Sequence, residues 1–276
     1  MKKKSYLLAT DLDNTLAGDS AALTALVDFH RKSKVEPALI YVTGRHLDSA
    51  LQLMEEEQLP VPDLWITDVG TSIYEATTLE EDSKWNEWIN ENWQPSSILR
   101  VASRFPILRR QDLPHTKRIS FTVEPGHAES VRLFEIELKR EGIPHHFVFS
   151  SDRDVDLLPE RSGKGAAVDY ALRHYAAQDV NVLLAGDSGN DAQMLALPYP
   201  AVIVGNAQQE LDALPTHPLI YRATAHFADG IQEAWEYFYN FSGIKKTNWL
   251  TKQANWFLHL TSQLGASLPF KFFIII

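Results

Sequence analysis

The sequence predicts an α/β fold: a doubly wound, Rossmann-like parallel sheet with a second, α+β unit inserted into it. Short β-branched or aliphatic runs end abruptly in polar residues, and helix-like stretches separate the first of these runs. Between about Leu79 and Pro159 the pattern changes, and the alternation then resumes. A chain of 276 residues has room for a core carrying a smaller second domain.

The elements follow in order. Tyr6 to Thr10 reads as the first strand and Ser20 to Ser33 as the first helix. Ala38 to Thr43, His46 to Gln58 and Leu64 to Thr67 continue the series as strand, helix and strand. The inserted part opens with Trp85, Trp88 and Trp93, whose spacing suits helix packing better than a sugar-stacking platform. It continues with a strand-like Arg118 to Val123, a helix-like Ala128 to Glu141, and Phe147 to Ser150. The core resumes with a helix just after Lys164 and with strands at Asn181 to Ala185 and Ala201 to Val204. These readings divide the chain into a core of residues 1–79 and 159–241, an inserted cap of residues 80–158, and a C-terminal extension of residues 242–276. The extension is rich in aromatic and apolar residues, and no chemistry requires it.

Composition narrows the function. The absence of cysteine excludes disulfides, thiolate metal sites and a cysteine nucleophile. A net charge of -10 disfavours nucleic acid, whose binding leans on clustered Lys and Arg. It leaves room for a small anion, because one divalent cation and a few local basic groups reverse the field inside a cleft. The basic start Met1 to Lys4 is followed by an apolar run that Asp11 and Asp13 cut short, so no export signal is read. No run approaches the roughly 18 apolar residues of a membrane span. A soluble, cytoplasmic protein without membrane association is expected.

Three polar loops follow predicted strands: Asp11-Leu12-Asp13-Asn14-Thr15, Thr43-Gly44-Arg45, and Gly186-Asp187-Ser188-Gly189-Asn190-Asp191. In open parallel sheets ligands bind outside the carboxyl ends of the strands, so these loops converge. Asp11 and Asp13 present two anions to one small volume, which a hard cation would compensate, with Asp187 and Asp191 completing its shell. An oxygen-only donor set without His or Cys favours Mg²⁺ over Zn²⁺. His145-His146 lacks a metal-ligand spacing. A carboxylate can also serve as a nucleophile, forming an aspartyl-phosphate. Lys164, flanked by Gly163 and Gly165, together with donors from Thr43 and Gly44, suits the charge of a phosphoryl group.

The four motifs, in this order, resemble those of the haloacid dehalogenase superfamily. The resemblance implies that Asp11 is nucleophile and Mg²⁺ ligand, and that Asp13 is general acid and base with its backbone carbonyl on the metal. It further implies that Thr43 and Lys164 bind phosphate, that Asp187 binds Mg²⁺, and that Asn190 and Asp191 hold the lysine and the metal shell. A narrower resemblance, to the bacterial and plant sucrose-phosphatases, is carried by Leu12-Asp13-Asn14-Thr15 with Gly18-Asp19, by Val42-Thr43-Gly44-Arg45, and by Asp154-Val155-Asp156-Leu157-Leu158-Pro159 leading into Arg161-Ser162-Gly163-Lys164-Gly165. Lys117 to Phe121 is similar to that family's cap strand. This implies a hydrolase core with a cap inserted after the third core strand, sucrose 6-phosphate as substrate in sucrose biosynthesis, and Gly44, Arg45, Lys117 and Asp154 as sugar or phosphate contacts. Mannosylfructose phosphate or glucosylglycerol phosphate as substrate, phosphoryl transfer to a second sugar, and a catalytically silent partner of a sugar-phosphate synthase stay open as alternatives.

Overall fold

A computed structural model of the chain describes residues 1–115 and 117–239. The expected C-terminal extension lies outside them. The chain begins with β1 (Tyr6–Thr10), α1 (Ser20–Lys32), β2 (Ala38–Val42), α2 (Leu47–Glu56), β3 (Leu64–Thr67) and β4 (Ser72–Glu75). It continues through α3 (Ser83–Asn90), α4 (Pro95–Ala102), β5 (Arg109–Arg110), β6 (Ile119–Thr122), α5 (Ala128–Arg140), β7 (His146–Ser150) and β8 (Asp154–Leu158). It closes with α6 (Lys164–Tyr175), β9 (Asn181–Gly186), α7 (Ala192–Leu195), β10 (Ala201–Ile203), β11 (Ile220–Arg222) and α8 (Phe227–Tyr239).

Seven strands form one sheet in the order β11-β10-β9-β1-β2-β3-β4, parallel throughout except for β4. Both faces are covered, which is why its central strands are continuous apolar runs rather than alternating ones. Leu7 and Ala9 of β1 pack with Val168 of α6 and Met194 of α7, whereas Leu8 packs with Leu26 of α1 and Trp235 of α8. Successive side chains therefore serve opposite layers. Helix α1 starts where Asp19 accepts from the amides of Ala21 and Ala22, and ends in His30, Arg31 and Lys32, which suit the negative end of its dipole. Among the described residues no helix is long and apolar enough to cross a membrane.

A second, antiparallel sheet, β5-β6-β8-β7, is inserted between β4 and α6. One face, with Ile119, Phe121, Val155 and Leu157, packs on Phe134 and Leu138 of α5 and Ile98 of α4. By the two-residue period of a strand, Ser120, Asp154, Asp156 and Leu158 stand on the other face. Val148 and Leu158 meet Val69 of the larger unit there.

Two features differ from expectation. The insertion follows β4, not the third strand, because Asp68, Val69 and Gly70 all have left-handed φ, at 54°, 57° and 90°, and reverse the chain into an antiparallel partner for β3. Lys164 is also the first residue of α6 itself, with Gly163 as its cap at φ 117°. The three tryptophans part company: Trp85 is fully buried in the core under the large sheet, whereas Trp88 is half exposed beside Arg161.

Candidate active site

The carboxyl ends of β1, β2 and β9 bring the three polar loops together, and a lysine from α6 rises into the middle of them. The Asp11 amide donates to Ala185 O at 3.0 Å, so the first residue beyond β1 is still fixed to β9. Lys164 Nζ donates to Asp11 Oδ1 at 2.6 Å and to Asp191 Oδ1 at 2.7 Å. Asp191 Oδ2 accepts from the amides of Asp187 and Ser188, at 3.0 and 3.1 Å, and so closes the loop after β9 on itself. Thr15 donates to Asp187 Oδ1 at 3.2 Å, which ties the first loop to the third. Asp11, Asp187, Asp191 and Lys164 are all buried.

Carboxylate oxygens of Asp11, Asp187 and Asp191 lie within 4.8 Å of one another. One ammonium cannot neutralise three carboxylates, and the titration behaviour reflects it. Burial pushes Asp11 well above the usual carboxylate range against the pull of Lys164, with Asp191 and Asp187 adding to the rise. Burial, then the repulsion of Asp191, moves Asp187 up to about 7. Lys164 is raised: burial works against its charge, and the attraction of Asp11 and Asp191 overcomes it. Buried anions in excess, offering only oxygen donors, fit a hard divalent cation.

Asp13 lies outside this triad. Its two oxygens accept from Arg45 Nε and Nη2, each at 2.8 Å, in a bidentate fork, and Arg45 Nη1 donates to Ser49 at 2.9 Å. Thr43 is fully buried, and its hydroxyl oxygen accepts from the Arg45 amide at 3.1 Å. Gly44 and Asn190 flank the same space, since a side chain on Gly44 would come within 4.0 Å of Asn190 Nδ2. Asn190 Oδ1 is buried with no hydrogen-bond partner among the described residues.

Lys117 and Asp154 stand apart from these groups. The Lys117 amine donates to Ser72 at 3.1 Å and to Glu81, fastening the inserted part to the β4 hairpin. The half-buried Asp154 accepts from Gln111 at 3.4 Å, and burial raises its pKa. The neighbour of Lys117 takes the position facing the loops. Arg118 is buried, donates to Gly44 O and to Asp156, each at 2.8 Å, and lies 3.4 Å from the buried Asp68. Sequence reading missed Arg118, Asp68 and Asp156. The alternation of Arg118, Ser120 and Thr122 with apolar Ile119 and Phe121 was the available signal.

Taken together, the loops can hold an anion against Thr43, Gly44 and Lys164 while presenting a buried carboxylate to it. Comparison with known proteins identifies the family. Residues 4–239 match the family described as Sucrose-6F-phosphate phosphohydrolase. A mannosylfructose-phosphate phosphatase from Agrobacterium fabrum is 32% identical over 237 residues, covering 84% of this chain and 96% of that protein. A probable sucrose-phosphatase from Arabidopsis thaliana is also 32% identical, over 252 residues and 84% of this chain, but the chain spans only 59% of its length. The crystal structure of the sucrose-phosphatase from Synechocystis sp. PCC6803, in complex with sucrose and phosphate, superposes with a TM-score of 0.79 at 34% identity, covering 88% of this chain and all of that one.

Proposed function

The chain belongs to the sucrose-6F-phosphate phosphohydrolase family of the haloacid dehalogenase superfamily, and on that premise we propose that it hydrolyses sucrose 6-phosphate to sucrose and phosphate. The observation that carries the reading is the buried chain Asp11–Lys164–Asp191 with Asp187 within 4.8 Å.

Asp11 is the nucleophile. Its carboxylate attacks phosphorus in line, the bond from phosphorus to the sugar oxygen breaks, and Asp13 gives that oxygen a proton. Water then attacks the aspartyl-phosphate. Asp13 takes the water's proton, phosphate leaves, and the Asp11 carboxylate is restored. The Arg45 fork holds the Asp13 carboxylate in place, and one of its oxygens must leave the fork to carry the proton. Lys164, the Thr43–Gly44 turn and the Asn190 amide hold the phosphoryl oxygens, and Lys164 keeps Asp11 aimed. Asp11, Asp187 and Asp191 would hold Mg²⁺, with Asp13 joining through its carbonyl as the family resemblance implies. When bound, the cation supplies charge neutralisation at the phosphoryl group.

The inserted sheet, within residues 80–158, brings Asp156 and Arg118 to the loops, and it is the part that selects the sugar. A mannosylfructose phosphate is the second reading, supported by the relative that the match covers to 96% of its length. The two are separated by phosphate release from sucrose 6-phosphate, mannosylfructose phosphate and glucosylglycerol phosphate, each with Mg²⁺ and with EDTA. Preference for sucrose 6-phosphate, abolished by EDTA, is the expected result. Preference for another member moves the substrate, and Mg²⁺-independent release sinks the mechanism.

A further inference from the structure

The inserted sheet meets the large unit at several points, and at one of them a single carboxylate makes the join. Glu210 stands on the 3-10 turn Gln209–Ala213 that follows β10. Its Oε2 accepts from the Ser151 amide at 2.9 Å, and its Oε1 from the same amide at 3.1 Å. Oε1 also accepts from the Gly189 amide. Ser151 is at the tip of the hairpin joining β7 to β8, and Gly189 opens the turn that carries Asn190 and Asp191.

Both ends are shaped for the contact. Ser151 and Asp152 adopt left-handed φ of 56° and 48°, a conformation that costs a non-glycine residue energy and persists only where its surroundings hold it. At the other end, a Cβ on Gly189 would lie 2.7 Å from Glu210 Oε1 and 3.3 Å from Phe149 O, so a residue without a side chain is what lets carboxylate and hairpin approach. Elsewhere on the inserted part, Arg118 at the start of β6 donates to Gly44 O of the Thr43–Arg45 turn, so the inserted sheet is fastened separately to two of the three loops of the site.

We propose that Glu210 is a positioning residue that couples the seating of the inserted sheet to the alignment of the loop bearing Asp187 and Asp191. The proposal rests on the sugar-phosphatase reading. Glu210 touches no reacting atom; it acts through two backbone amides, one on each side of the joint. Its loss frees the hairpin and the loop from each other, and this matters most for a substrate whose second sugar must meet the inserted sheet.

The test compares wild type, E210A and E210Q on sucrose 6-phosphate and on p-nitrophenyl phosphate, with hydrogen exchange of residues 149–153 and 187–191. For E210A, kcat/KM on sucrose 6-phosphate falls roughly ten- to hundredfold, the usual effect of a misplacement of about 1 Å. The loss on p-nitrophenyl phosphate is at least about fivefold smaller, because that substrate has no sugar to seat. In E210A exchange rises in both segments together. E210Q keeps an oxygen that alone can accept from both amides, and it retains most of the wild-type rate. Equal losses on both substrates, no loss on either, or unchanged exchange at residues 149–153 would overturn the proposal. If E210A does not fold, E210D withdraws the carboxylate by one methylene and gives the same readings. Wild-type turnover of p-nitrophenyl phosphate with Mg²⁺ tests the phosphatase reading on its own, and the exchange measurement judges Glu210 even if that reading fails.

Discussion

Asp187 carries the clearest mark of an incomplete charge balance. Burial and Asp191 raise its pKa from 3.8 to about 7, so in the metal-free fold the neutral form is favoured over a wide range. The sign of the linkage follows. A carboxyl group raised in the folded state contributes stability that is fully present below its unfolded pKa and is lost as pH rises through the folded one. In EDTA, wild type therefore loses stability relative to Asp187→Asn between 3.8 and about 7, and Mg²⁺ removes the difference above that range by favouring the ionised form. Melting curves of both proteins across that window, with EDTA and with Mg²⁺, measure it. A metal-free difference that stays flat with pH contradicts the account. The sequence made Asp187 legible because it sits in a motif behind a strand. The strand alternation could place Arg118 on the polar face but could not show its role, and nothing marked Glu210, since the importance of each comes from a backbone group distant in sequence: Gly44 O for one, the Ser151 and Gly189 amides for the other.

At the level of elements, the position of Lys164 depends on a contact between two turns. Gly70 ends the reversal after β3, and Gly163 precedes α6; both have left-handed φ, at 90° and 117°. A Cβ on Gly70 would lie 2.7 Å from the Lys164 amide, with the Gly163 carbonyl closer still. Gly70→Ala must therefore strain its own backbone or push the start of α6 away, at a cost of about 2–4 kcal/mol when the left-handed penalty is added to overpacking. Because Lys164 is the first residue of that helix, kcat falls more than about tenfold in the protein that remains folded. Urea unfolding and phosphate release on the same preparation report the two effects. A folded Gly70→Ala enzyme with wild-type kcat would separate α6 from this turn. The parallel strands β1, β2 and β3 could be read from their apolar runs. The reversal into β4 could not, because its middle left-handed residue is Val69, a β-branched type that almost never takes such a φ, and it masks the turn tendency of Asp68 and Gly70 on either side. The strand β8 was hidden for a related reason: Asp154 and Asp156 look like motif carboxylates, while their alternation with Val155 and Leu157 is the signature of a strand buried on one face.

For the whole molecule the question is how a protein of net charge -10 admits a phosphate dianion. The outer field opposes entry, and the site does not reverse it unaided, because among the described residues Lys164 and Arg45 are the basic groups bonded to Asp11, Asp13 and Asp191. A divalent cation held by the triad would bring the two signs to balance, and only then would the Lys164 ammonium and the Gly44 turn outweigh the remaining repulsion. On this account phosphate affinity depends on the cation. In calorimetric titrations, inorganic phosphate binds wild type in the presence of Mg²⁺, and its affinity falls by at least about a hundredfold in EDTA, equivalent to about 2.7 kcal/mol of coupling. Reciprocity makes the same statement from the other side: saturating phosphate must tighten Mg²⁺ by the same factor. Phosphate that binds equally well in EDTA would mean that the basic groups alone carry the anion, and that Asp11 and Asp187 are kept neutral by protonation rather than by a metal.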